Sequence, residues 1–269
     1  MRKNSFAGFL VVLLATIPLL AHDLFLRLDS YFVGLNEKVK ISILNGSFQG
    51  SEGAVNFARL SDLTVVAPSG LASKIAESNF TKDEKTSFIN LTPTEAGNYL
   101  VGFSTMTREI DLSAKDFNDY LDHDAIPDTL TQRKRDNELE MNVRERYSKH
   151  VKTLFQAGSS QSENFKKVLG YPVEIVPMNN PFKLKRGDRF EFQCLKDGKP
   201  LADQFVMTGY DDGTNHRAGE NFRTNKKGIA RVSLTSPGKW YVKFIQMNRL
   251  NDPNLNYESK WATFTFEIR

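Results

Sequence analysis

The sequence predicts a mainly β protein: two antiparallel, immunoglobulin-like β-sandwich domains with a helical segment between them. Three observations carry this. Apolar and polar residues alternate with period two at both ends of the chain, turn signals punctuate those runs, and a central stretch changes to helical spacing. Twenty Phe and eight Tyr among 269 residues suit a β-rich core.

The first domain is expected over residues 22–112. Leu24, Leu26 and Leu28 alternate with Phe25 and Arg27, and Val39, Ile41 and Ile43 alternate with Lys40 and Ser42, as strands with one buried face do. Asn45-Gly46, Pro68-Ser69-Gly70 and Glu95-Ala96-Gly97 supply turns. The approach to Tyr99 resembles a late sandwich strand, where a Tyr after the turn packs at the corner.

A helical segment and linker are expected over residues 113–165. Ser113 and Asp116 make an N-cap pair, and Phe117, Tyr120 and Leu121 fall on one helical face. Pro127 sits where a second helix begins. In that same helix Leu139, Val143, Tyr147 and Val151 recur every four residues, with Leu154 three further on, among charged neighbours. That spacing predicts an amphipathic surface helix with His150 exposed on it. The polar run Gly158–Glu163 reads as a linker.

The second domain is expected over residues 166–269, with strands at Val173–Val176, Phe190–Gln193, Gln204–Met207, Ala230–Leu234, Trp240–Ile245 and Trp261–Ile268. Trp240 and Trp261 sit in alternating runs and are read as core residues. Cys194 is the only cysteine, so no internal disulfide forms; within Phe190–Cys194 it reads as a small buried residue.

Residues 1–21 have the layout of a secretory signal: Arg2 and Lys3, an apolar run from Phe6 to Leu20, then Ala21. The run is too short for a convincing membrane span, and a periplasmic or secreted location is expected. Losing Arg2 and Lys3 lowers the formal charge from +4 to +2. That small surplus, spread among acids, argues against a nucleic-acid partner. No nucleophile-elbow, phosphate-loop or closed metal motif is present, and the chain is not expected to be an enzyme.

Cleavage after Ala21 leaves His22 as the first residue. A free α-amine and an imidazole on one residue can chelate a transition metal, and both must shed protons to do so. Nitrogen donors favour nickel or copper over magnesium or calcium. His123, in Asp122-His123-Asp124, and His216, in the polar loop from Asp211, are the further candidate ligands.

Several segments in order carry a family likeness. They are Ala21–Leu26, Arg144–Lys149, Gly170–Pro177, Asn180–Gly187, Asp197–Ala202, Thr224–Gly228, Pro237–Trp240 and Tyr257–Glu267. Together they resemble a secreted bacterial domain-of-unknown-function family described as the periplasmic component of cobalt or nickel transport systems. The resemblance implies a β-rich periplasmic protein that captures Ni²⁺ or Co²⁺ for a membrane transporter of the ABC or ECF type. It also exposes a departure: the family tends to carry His before Met247, where this chain has Gln246, a poor ligand for such ions. The competing expectation is a secreted sandwich module, interactive or structural, that binds no metal. A copper enzyme built on an N-terminal histidine shares the chelate but finds no second motif-placed histidine.

Overall fold

The computed structural model describes residues 22–269. The signal segment expected at residues 1–21 lies outside the described residues.

The protein is mainly β, as the sequence predicts. The first strand, Asp23–Leu28, buries Leu24, Leu26 and Leu28 on one face. It pairs antiparallel with Val39–Gly46, which pairs with Ser87–Leu91, and Phe80–Lys82 completes a four-stranded sheet. A second four-stranded sheet joins Val173–Pro177, Arg189–Lys196, Lys199–Pro200 and Ile229–Ser233.

Between them runs an eleven-stranded sheet. Its centre is the 15-residue strand Val143–Ala157. This strand pairs antiparallel with Gly97–Thr105 and parallel with the last strand, Tyr257–Ile268. Gly238–Arg249 and Phe205–Asp211 extend the sheet beyond that last strand. Alternation divides the large sheet between two cores. Val101, Phe103, Val151 and Phe155 pack against Leu24, Ile41 and Ile89 of the first small sheet. Leu100 and Leu154 point the other way and join Phe190, Phe192, Cys194, Trp240, Val242 and Phe264 in the second core. Two sandwiches therefore share their middle layer.

The long strand corrects the helix expected to run from Pro127 through Leu139 to Leu154. Spacing of four is also a multiple of two, so Val143, Tyr147 and Val151 share a face of a strand as readily as of a helix. Charged residues at Glu145 and Lys149 lie on that same face and are buried, which hid the strand pattern. His150 is correspondingly buried rather than exposed, with Nδ1 2.7 Å from Ser104 Oγ and Nε2 3.1 Å from Ser148 Oγ.

The helix α1 (Ala114–His123) forms where expected, and α2 (Pro127–Arg135) starts at Pro127 as expected but stops at Arg135 instead of running on through Leu139 to Leu154. Ser113 Oγ accepts the Asp116 N–H, and Pro127 occupies the first turn of α2, where its missing N–H costs nothing. Phe117, Tyr120, Leu121 and Ile126 pack on Val143, Ile245, Tyr257 and Trp261. The corner reading of Tyr99 also holds: its hydroxyl accepts the Glu95 N–H at 2.9 Å. Gly158–Glu163 leads into a loop pinned to the sheet, where Ser162 Oγ accepts the Asn98 N–H at 3.0 Å.

Candidate functional site at the start of the first strand

His22 stands immediately before the first strand, over a cavity of about 170 Å³. Pairing of Asp23 with Gly46 places this end beside the loop that carries Glu52. His22 Nε2 lies 3.4 Å from Glu52 Oε2, and the Lys149 ammonium donates to the His22 carbonyl. Arg59, Arg108, Thr105, Tyr147 and Lys149 line the rest of the cavity, with Leu24 on its apolar side.

The outer face of the first strand carries its polar residues against the sheet end formed by Gly238–Arg249. Asp23 pairs with the Lys243 ammonium at 2.5 Å, and Asp124, just beyond α1, lies 3.4 Å from the same ammonium. Asp23 Oδ1 is enclosed with no hydrogen-bond partner. Further along, Phe25 packs on Tyr241 and Phe48, and Arg27 pairs with Asp211 at 2.7 Å.

Burial sets the protonation of this region. It pulls Lys149 down to about 8, although Asp23 and Asp124 resist by favouring the ammonium. Burial raises Glu145 to about 7, against hydrogen bonds from Ser259 and Tyr120 and the charge of Lys149. It also raises the Asp124 carboxyl, with Lys243 opposing and Asp23 adding to the rise. For Lys243 the two carboxylates outweigh desolvation and hold its pKa above the ordinary lysine range.

The three candidate histidines are not drawn together. His123 ends α1 with its side chain 77% exposed and Nδ1 3.8 Å from Asp124 Oδ1. His216 opens the short strand His216–Ala218 and stacks on Tyr241, with ring centroids 5.9 Å apart. Its Nε2 is enclosed without a partner, and burial pushes its pKa down. Among the described residues no three His, Cys, Asp or Glu side chains converge in a metal-binding group. Gln246 alternates to the face of its strand opposite Lys243 and donates to Asn248 Oδ1 at 2.6 Å.

Sequence reasoning found His22 but missed Arg59, Arg108, Lys149 and Lys243. The first three come from separate elements, which no spacing rule joins. Lys149 did carry a signal, as a lysine at an inward position of a strand, but the helical reading assigned it to solvent.

No curated protein matches the chain. Among solved structures, the D0–D1 domain of intimin is similar at 14% identity and a TM-score of 0.21, over 90% of this chain and 96% of that one. A DUF4785 family protein from Legionella pneumophila gives 12% identity and a TM-score of 0.25, over 82% of this chain and 51% of that one. The Escherichia coli adhesin FdeC gives 11% and 0.22, over 93% and 65%. A family match covers residues 19–248, and by it the chain belongs to the family described as Domain of unknown function (DUF4198).

Proposed function

We propose that this protein is a non-enzymatic periplasmic or secreted metal-capture protein that takes Ni²⁺ or Co²⁺ as cargo and hands it to a membrane transporter of the ABC or ECF type. Removal of residues 1–21 bares the His22 α-amine, which closes a chelate with Nδ1. The observation that carries this reading is the Glu52 carboxylate 3.4 Å from the other ring nitrogen, Nε2. A carboxylate facing the second nitrogen can orient the ring and make the first a better ligand, as carboxylates do around metal-bound histidines generally. Two nitrogens suit nickel or cobalt, and water or a carboxylate completes the coordination.

Equilibrium titration of the purified, processed protein with Ni²⁺ and Co²⁺ tests this. His22→Ala should abolish tight binding, and Glu52→Gln should weaken it by about 10- to 100-fold. Binding should weaken as pH falls, because protons compete for the same nitrogens. Equal affinity in His22→Ala and the parent, or an intact mass that places the processed terminus elsewhere, overturns the proposal. One observation favours the second reading, a module without metal: Lys149, Arg59 and Arg108 surround the same cavity and repel a cation.

A further inference from the structure

Arg59, Arg108 and Lys149 bring charge of one sign to a single cavity of about 170 Å³. They come from three places: the end of the short turn Phe57–Arg59, the start of the strand Arg108–Leu112, and the middle of Val143–Ala157. Of the neighbouring acids, Glu52 faces His22 at the cavity's edge and the others are engaged elsewhere. Glu109 pairs with Arg144 and Arg146, while Asp23 and Asp124 share Lys243. Among the described residues, Arg59 and Arg108 have no carboxylate at salt-bridge distance.

Arg59 Nε is enclosed with no acceptor at all. Burial, followed by the charge of Arg108, lowers the Arg59 pKa. A buried donor of this kind costs stability until an acceptor arrives, and like charges facing one cavity favour an anionic one. The space is several times the volume of about 30 Å³ that one water occupies. Thr105 and Tyr147 add hydroxyls at the wall.

We propose that this cavity binds a small anion whose carboxylate or phosphate-type oxygens are gripped by the Arg59 and Arg108 guanidiniums and the Lys149 ammonium. Planar guanidinium forks match such oxygens in pairs, and the ammonium adds a compact point charge. The inference goes beyond metal capture and does not rest on it, because neither arginine belongs to the His22 chelate.

Calorimetric titration in resin-stripped, metal-free buffer separates the two. Citrate is the polycarboxylate probe and inorganic phosphate the oxyanion probe. Binding of citrate alone, of phosphate alone, or of both supports the site and says which oxygen chemistry it prefers, provided the arginine variants weaken it. Arg108→Gln and Arg59→Gln should each weaken binding by about tenfold, the loss of one charge-assisted hydrogen bond. Lys115→Gln, on the exposed side of α1, should leave it unchanged. Arg108 is itself exposed, so its variant should fold even if Arg59→Gln does not. No heat of binding for either probe at ~10 mM, or parental affinity in Arg108→Gln, overturns the proposal.

Discussion

Replacing Glu145 by Gln should stabilise the protein at alkaline pH and leave it unchanged in acid. Glu145 is 2% exposed on the inner face of the long strand, beneath α1. Its Oε1 accepts from Ser259 Oγ and, at 3.3 Å, from the Tyr120 hydroxyl. Burial raises its pKa from 4.5 to about 7, so the folded chain holds a proton there that the unfolded chain releases. Between those two values the native state binds more protons, and stability falls as pH rises. At about 1.4 kcal/mol for each tenfold change, the loss reaches about 3 kcal/mol above pH 7. Gln keeps the accepting oxygen and cannot ionise. Urea denaturation of parent and Glu145→Gln at intervals from pH 4.5 to 8.5 measures the difference, which should be near zero at the acid end and grow to about 3 kcal/mol at the alkaline end. A constant offset across the range would refute the buried, proton-holding carboxyl.

His150 should produce the opposite slope. Burial lowers its pKa to about 4, so its contribution is intact above the unfolded value of 6.5 and is lost as pH falls toward 4. His150→Gln should remove about 3 kcal/mol of acid sensitivity between those values, read from the same titration series. Lys152 and Glu174 form a buried ion pair at 2.6 Å, and Glu174 also accepts the N–H groups of Leu169 and Gly170. Lys152→Met strands that carboxylate and should cost about 3–5 kcal/mol in chemical denaturation, whereas Lys152→Met with Glu174→Leu should recover much of the loss. A single variant as stable as the parent would show that the carboxylate reaches water.

The strands were legible wherever one face was plainly apolar. Leu24, Leu26 and Leu28 announced the first, and Trp240, Val242 and Phe244 announced the inner face of Gly238–Arg249. The caps and starts of both helices were legible too, because Ser113 and Pro127 act within one turn of chain. Val143–Ala157 failed this reading: its central position buries Glu145, Lys149, His150 and Lys152, residues that local pattern assigns to solvent. They tolerate burial because partners arrive from far away in sequence, such as Ser259 for Glu145 and Glu174 for Lys152. Of the candidate site, the sequence pointed to His22 alone, through an expected processing signal rather than any spacing.

The sequence by itself determined the β class, the two helix starts and the buried Cys194, since each follows from neighbours a few residues apart. The tertiary structure decided that both sandwiches share one sheet and that His22 overlooks three cationic side chains. Parallel pairing of Glu145–Thr153 with Tyr257–Thr265 joins segments more than a hundred residues apart, and local periodicity holds no record of such a partner.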